Sequence, residues 1–137
     1  MAHRDAELLV RGFFHAVSSG DTEWIAAHFS QQGYYSVEGK LAAPNVVTRN
    51  KLENVIASVI KQFPAGLEFS VATVLVDDDR AAAEVEILGM HETGHLVDTH
   101  YLFLFAFHDG KIDHIKEYAA SEVLTRQVVG EEFWGHQ

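Results

Sequence analysis

The first half of the chain has the hydrophobic spacing of amphipathic helices. Over residues 5–18, apolar side chains recur three and four residues apart, which predicts a helix with one buried face. A short second helix follows, and Asp21 or Thr22 can cap it because a side-chain oxygen there accepts hydrogen bonds from free backbone N–H groups. A third helix is predicted between Thr48 and Pro64. Its apolar positions fit the helical period: Leu52, Val55, Ile56, Val59, Ile60 and Phe63.

The second half of the chain changes to an alternation of apolar and polar positions, which is typical of β-strands. Strands are predicted over residues 67–75, 83–87, 96–107 and 112–119, with a short strand at 34–37 between the helices. In the first of the four later strands, the odd-numbered side chains are expected to face the core. This order of elements predicts an α+β fold in which three N-terminal helices pack on one face of a curved, mostly antiparallel sheet.

The composition fits one globular domain over residues 1–137. The chain is 47% apolar and has no cysteine, so it can bury a core that encloses a small ligand, while disulfides and thiol catalysis are excluded. A formal net charge of −10 repels phosphate backbones and argues against nucleic acid as a partner. No secretory signal and no apolar run of roughly 18 to 20 residues are present, so we expect a cytoplasmic protein without a membrane partner.

Short motifs occur in order along nearly the whole chain. They are FFHAVSSGD at 13–21, WI at 24–25 with HF at 28–29, THY at 99–101, DGKI at 109–112 and KEY at 116–118. In this order and spacing they resemble the superfamily of nuclear transport factor two, which includes SnoaL-like polyketide cyclases, ketosteroid isomerase and limonene epoxide hydrolase. The resemblance implies a cone-shaped roll with a concave, ligand-facing sheet. Because the superfamily includes enzymes, ligand carriers and interaction domains, it implies no single reaction.

The residues that carry catalysis in these relatives are incomplete in this chain. In SnoaL-like members the final strand often ends in Arg-Glu-Tyr, one further residue and an Asp that serves as base, whereas Ala120 stands at that position here. By alignment, the ketosteroid isomerase base falls on Val37, its tyrosine donor on Phe13 and its protonated Asp near Phe103. The Asp, Arg and Asp set of the epoxide hydrolases is also incomplete, because Ala120 again replaces the terminal Asp.

The last two predicted strands are expected to form a hairpin with one aromatic face. A three-residue loop that contains Gly110 would pair Phe107 with Lys111. Counting back along both strands then sets Tyr101 opposite Glu117. Since side chains alternate between the two sides of a strand, one face is shared by Thr99, Tyr101, Phe103, Phe105, Phe107, Ile115, Glu117 and Ala119. The resemblance implies that this face is the concave one.

Glu117 is the candidate catalytic base. A lone carboxylate among phenylalanine and tyrosine rings is poorly solvated, which raises its pKa toward neutrality and suits it to proton transfer. Tyr101 and Tyr35 are the candidate hydrogen-bond donors to a developing oxyanion. Tyr35 is preferred to Tyr34 because it shares strand parity with Val37. In the alternative interpretation, Glu117 lies at the mouth of the cleft or pairs with an arginine, and Tyr101 is a core ring.

The expected function is acid–base chemistry on a small hydrophobic molecule, without a cofactor. An isomerisation, cyclisation or dehydration of a polyketide-like or steroid-like carbonyl compound fits the candidate groups. The expected ligand contacts are Phe13, Val37, Val85, Thr99, Phe103, Phe105 and Ile115. The alternative, which the missing Asp favours, is a ligand-binding or dimeric interaction domain of the same fold without catalysis.

The sequence HETGH at 91–95 matches the zinc-protease motif HExxH. That motif binds zinc when a helix places both imidazoles on one face. Gly94 interrupts a helix, and both flanking segments have the alternation of strands. Residues 92–94 are therefore predicted to form a hairpin turn, and no metal site is expected.

The opposite face of the predicted sheet is also apolar. It carries Leu102, Leu104 and Ala106 on the third of the later strands. Because this surface is too apolar to remain in contact with water, we expect a homodimer that forms through the sheet.

Overall fold

Three helices pack on a six-stranded sheet in the computed structural model, which describes residues 1–38 and 46–118. The elements in chain order are α1 (His3–Ser19), α2 (Thr22–His28), β1 (Phe29–Val37), β2 (Val46–Thr48), α3 (Arg49–Gln62), β3 (Leu67–Asp77), β4 (Arg80–Met90), β5 (Leu96–His108) and β6 (Lys111–Tyr118). The predicted α+β fold, with helices on a curved, mostly antiparallel sheet, is confirmed. Ala119, the predicted end of the last strand, and Ala120 lie outside the described residues.

The helices begin and end near the positions that the sequence indicates. Gly20 ends α1 in the left-handed conformation, with φ of 72°, and its N–H donates to carbonyl groups of the last helical turn. The carboxylate of Asp21 caps α2 by accepting a hydrogen bond from the Trp24 N–H at 3.1 Å. Thr48 precedes α3, but its side chain makes no capping hydrogen bond. Within residues 1–38 and 46–118, none of the helices combines the length and hydropathy needed to cross a membrane.

The strand order β2-β1-β6-β5-β4-β3 joins the first strand of the chain to the last. β1 and β6 run parallel, whereas the other described pairs of neighbouring strands are antiparallel. The parallel pairing places Tyr35 beside Ile115 and Val37 beside Glu117. This long-range pairing brings a tyrosine and a glutamate from distant parts of the sequence to the same region of the sheet.

The hairpin between β5 and β6 differs from the predicted three-residue loop. Asp109 and Gly110 form a two-residue turn with φ of 50° and 75°, and His108 pairs with Lys111. The register then shifts by one further residue at a bulge in β6, so that Phe103 lies opposite Glu117. The prediction that Tyr101 lies opposite Glu117 is therefore wrong.

Strand β3 also contains a bulge, which reverses the side on which its residues face. The register shifts between Val71 and Thr73, where the predicted alternation of odd-numbered residues stops. Beyond the bulge, Val74 and Val76 pack against the core, whereas the Leu75 side chain is 67% exposed. The expectation that the odd-numbered side chains face the core holds only for the first half of this strand.

Aromatic rings fill the interior between α1 and β5. The ring centres of Phe13 and Phe14 each lie 5.9 Å from that of Phe105, and Phe14 lies 4.8 Å from Phe103. All four side chains are buried. Open space lies instead beside α3, where the helix faces the sheet with shorter, aliphatic side chains.

Candidate active site

A cavity of about 100 Å³ lies between α3 and the sheet. The apolar stripe of α3 forms one wall, and side chains from α1 and from strands β1 to β6 form the others. The lining residues are Phe13, Phe14, Val17, Tyr35, Val47, Leu52, Val55, Ile56, Val59, Leu67, Phe69, Ile87, Val97, Tyr101, Phe103 and Glu117. Among these residues, Tyr35, Tyr101 and Glu117 carry the only polar side chains, so the described cavity is an apolar space with few groups capable of chemistry.

Glu117 is buried near the end of β6, where its side chain is 7% exposed. The hydroxyl of Tyr35 donates a hydrogen bond to Oε1 of Glu117. Oε2 is buried as well, and it has no hydrogen-bond partner in the described part of the chain. Tyr35 thus holds the carboxyl group through one oxygen, and the other oxygen could still accept or donate a hydrogen bond.

The surroundings of this pair change the proton affinity of both groups. Burial raises the pKa of Glu117 from its ordinary value of 4.5 to about 7, and the hydrogen bond from Tyr35 opposes this increase. Burial, together with the negative charge and hydrogen bond of Glu117, raises the pKa of Tyr35 well above 10.0. Near neutral pH, Glu117 can therefore release and accept a proton while the Tyr35 hydroxyl remains protonated.

The two neighbouring tyrosines of β1 face opposite sides of the sheet. The ring of Tyr35 stacks on Phe13 at a centre-to-centre distance of 6.4 Å, and it borders the cavity. Tyr34 stacks on His114 instead, with ring centres 4.9 Å apart. The alternation of side chains along β1 accounts for this difference.

The structure brings five of the predicted site residues together around the cavity. Phe13, Tyr35, Tyr101, Phe103 and Glu117 line it. The described wall does not include five further residues that are expected to contact the ligand: Val37, Val85, Thr99, Phe105 and Ile115. Val37, Val85, Phe105 and Ile115 are buried in the core, where the rings of α1 cover Phe105, and Thr99 is half-buried.

The wall formed by α3 is the part of the site that the sequence analysis does not identify. Leu52, Val55, Ile56 and Val59 border the cavity. Their helical spacing predicts a buried face, but spacing alone does not tell whether that face meets filled or open space. The lengths of the facing side chains would be the only available signal, since aliphatic groups reach less far than the rings of α1.

The HETGH segment forms the predicted turn between β4 and β5, and it holds the end of α3. His91 Nε2 hydrogen-bonds to Oε1 of Gln62 at 2.9 Å, and its Nδ1 hydrogen-bonds to the Thr93 hydroxyl at 2.8 Å. The Glu92 N–H donates to the Gln62 carbonyl at 2.7 Å. Among residues 1–38 and 46–118, no three His, Asp or Glu side chains are grouped closely enough to hold a metal ion.

Known proteins share this arrangement of helices and sheet. The chain resembles a candidate SnoaL-like polyketide cyclase from Jannaschia sp. CCS1, with 14% identity, 92% of each chain covered and a TM-score of 0.72. It also resembles AclR, a candidate hydroxylase from Streptomyces galilaeus, with 19% identity, coverage of 93% and 97%, and a TM-score of 0.74. A third structure, TerC co-crystallised with polyporic acid, is 12% identical, with coverage of 91% and 97% and a TM-score of 0.72. At these identities the likeness shows the fold alone.

The sequence itself carries a family pattern. No curated protein matches the sequence. Residues 10–115, however, match the SnoaL-like domain, and this range includes most of α1, all of α3, most of the sheet and all the described cavity wall except Glu117. The chain therefore belongs to the SnoaL-like family, within the superfamily of nuclear transport factor two that its motifs resemble.

Proposed function

We propose that the protein binds a small apolar carbonyl compound in the cavity and that Glu117 transfers a proton on it. The observation that carries this proposal is the buried Oε2 of Glu117, which has no partner among the described residues that surround it. A carboxyl group whose pKa lies near 7 is suited to general acid–base catalysis at neutral pH. Isomerisation, cyclisation and dehydration are the reaction types that this group can serve.

In the proposed reaction, ionised Glu117 takes a proton from a carbon next to the carbonyl group. The electron pair of the broken C–H bond moves onto the carbonyl oxygen as an enolate. If the ketone carries a C=C bond between its β- and γ-carbons, the enolate charge extends over that bond. Return of the proton to the γ-carbon then gives the conjugated isomer and restores the carboxylate. Tyr35 positions Glu117 through the hydrogen bond to Oε1. Tyr101 lines the same cavity and remains the predicted donor to the enolate oxygen.

Exchange of protons next to a carbonyl group tests this proposal without knowledge of the natural substrate. Cyclohexanone is incubated with the protein in D2O, and the loss of its α-proton signals is followed by NMR. We expect the wild-type protein to accelerate exchange and Glu117→Gln to lose this acceleration. Glu86→Gln is the matched control, because Glu86 is exposed on the other face of the sheet. Exchange at the buffer rate, or equal rates for both variants, would show the proposal to be wrong.

A second candidate function is ligand binding without catalysis. The replacement of the usual family Asp by Ala120 favours it, because the chain then lacks the base of other SnoaL-like members. Saturable binding of cyclohexanone without accelerated exchange would support this candidate over the first.

We also propose that the outer face of the sheet forms a homodimer in the cytoplasm. Leu102 and Leu104 of β5 are 45% and 39% exposed, and Tyr118 of β6 is 41% exposed beside them. Exposed apolar side chains that adjoin one another support a contact with a second copy. Light scattering should give the mass of a dimer, and Leu102→Glu with Leu104→Glu should give a monomer that keeps ligand binding. Cell fractionation tests the location.

A further inference from the structure

The size of the cavity limits what can occupy it. Its volume is about 100 Å³. An engineered apolar cavity of about 150 Å³ accepts benzene, whereas sites for larger organic ligands occupy roughly 300 to 1,000 Å³. The volume is below that of the cavity that accepts benzene, so the described walls leave space for at most about one six-membered ring and not for a fused polycyclic molecule.

The wall formed by α3 is held at both ends, which keeps this space from widening easily. At the start of the helix, Arg49 Nη1 donates to the carbonyl of Ala26 at 3.2 Å. At the end of the helix, the carbonyl of Gln62 accepts a hydrogen bond from the Glu92 N–H, and its side chain is hydrogen-bonded to His91. The His91 ring also meets Phe63 edge-on, with ring centres 5.3 Å apart. Movement of α3 away from the sheet would break these contacts.

The polar groups of the cavity limit the chemistry of the ligand. Among the buried side-chain nitrogen and oxygen atoms of the described wall, Oε2 of Glu117 is the one that lacks a hydrogen-bond partner. It can donate when protonated and accept when ionised, so it can pair with either a carbonyl or a hydroxyl oxygen. The described wall contains no lysine, arginine or histidine, so a carboxylate or phosphate ligand would lack a countercharge.

We propose that the cavity selects a single-ring molecule without an anionic group and with one carbonyl or hydroxyl oxygen, which hydrogen-bonds to Oε2 of Glu117. This inference rests on the proposed function in taking the α3 cavity as the ligand site. The ring lies against the α3 stripe, and we expect Ile56 and Val59 of this wall to limit the size of the ligand. Fused-ring polyketides are outside this class.

Binding of a matched series of compounds, measured by NMR titration of the protein, tests the inference. Cyclohexanone and phenol should bind, and benzene should bind about 3- to 10-fold more weakly because it cannot hydrogen-bond to Oε2. The bicyclic ketone 1-tetralone and the anion benzoate should bind at least about 10-fold more weakly than cyclohexanone. Comparable or tighter binding of either compound would overturn the inference.

Variants of Glu117 and of the α3 wall locate the hydrogen bond and the size limit. Glu117→Leu should reduce phenol binding to the level of benzene, whereas Glu86→Leu should leave both affinities unchanged. Ile56→Ala should admit 1-tetralone, and Val59→Ala provides a second enlargement if the first variant folds poorly. If neither folded variant admits 1-tetralone, the α3 wall does not set the size limit.

The outcomes separate this inference from the proposed reaction. Binding of cyclohexanone without accelerated proton exchange would contradict the proposed reaction but agree with the proposed ligand class. Accelerated exchange of 1-tetralone protons by the wild-type protein would support the reaction and overturn the ligand class.

Discussion

The two long helices cover the concave face of the sheet in different ways. The rings of Phe13 and Phe14 on α1 reach the aromatic side chains of β5 and fill the interior between them. The aliphatic stripe of α3 faces the same sheet across a cavity of about 100 Å³. Both helices have the same amphipathic period. The period thus determines which face of a helix is buried, whereas the size of the facing side chains decides whether the interior closes.

The ionisable groups of the cavity wall lie beside the space that is not filled. Glu117 and Tyr35 border the α3 cavity, which Phe13, Phe14 and Phe103 also line, whereas Phe105 lies outside its described wall. A buried carboxyl group can act on a ligand only where open space adjoins it. The comparison of the two sides therefore predicts different responses to mutation.

The largest difference in stability is expected when a large side chain is removed either from the filled interior beside α1 or from the α3 wall of the cavity. Phe105→Ala should lower the free energy of unfolding by about 3 to 5 kcal/mol, because the ring is 1% exposed and packs against three other rings. Ile56→Ala should lower the free energy of unfolding by about 2 kcal/mol. This is the low end of the range for buried Ile→Ala substitutions, because Ile56 already borders open space. Urea unfolding measures both values. Equal losses would show that the α3 side is as tightly packed as the α1 side.

Glu117 should make stability depend on pH. Its pKa is about 7 in the folded protein and 4.5 in an ordinary environment, so the folded state binds the proton more tightly. The protonated carboxyl group therefore contributes roughly 3 kcal/mol to the free energy of unfolding. This contribution is fully present below pH 4.5 and is lost as pH rises through about 7. Unfolding measured between pH 4.5 and 8 should show this decrease in the wild-type protein.

The matched variants isolate the contribution of Glu117. Glu117→Gln should flatten the pH dependence of stability over this interval, because the amide does not titrate. The exposed control Glu86→Gln should keep the wild-type slope. Parallel slopes in the wild-type protein and Glu117→Gln would mean that the carboxyl group is not buried in the folded state.

Loss of the Tyr35 hydroxyl is expected to have a smaller effect. Its hydrogen bond lowers the pKa of Glu117, so Tyr35→Phe should move that pKa above about 7. Hydrogen bonds to charged groups contribute about 1.5 to 3 kcal/mol, and this loss should appear only where Glu117 is ionised. NMR titration of the Glu117 carboxyl carbon measures the pKa. Tyr34→Phe is the control and should leave it unchanged, because Tyr34 stacks on His114 away from the cavity.

The smallest expected change in stability comes from adding one methylene group, either at the cavity wall or in the filled interior. Val59→Ile extends into the cavity and should stabilise the protein by up to about 0.8 kcal/mol while weakening cyclohexanone binding. Val85→Ile adds the same group at a position that is 0% exposed and outside the cavity wall, so it should destabilise the protein by about 1 kcal/mol. Thermal unfolding of both variants checks the sign. A stabilising Val85→Ile would mean that the interior around Val85 is not filled.

The faces of the last two strands show how a prediction can succeed although its register is wrong. The expected hairpin loop was one residue too long, and the bulge in β6 was not expected. Each of these changes shifts the pairing by one residue. Because side chains alternate with a period of two, the two shifts together leave Glu117 and Phe103 on the predicted face. In β3, a single bulge has no such compensation, and Leu75 is therefore exposed.

The sequence by itself determined the three helices, the four later strands, the shared aromatic face of the last two strands and the presence of Glu117 on that face. These features follow from spacing over a few residues, which is a local property of the chain. Only the tertiary structure decided that Tyr35 bonds to Glu117, 82 residues away, through the parallel pairing of β1 and β6. Only the tertiary structure decided that α3 borders open space, because the volume left between elements depends on side chains from distant parts of the chain.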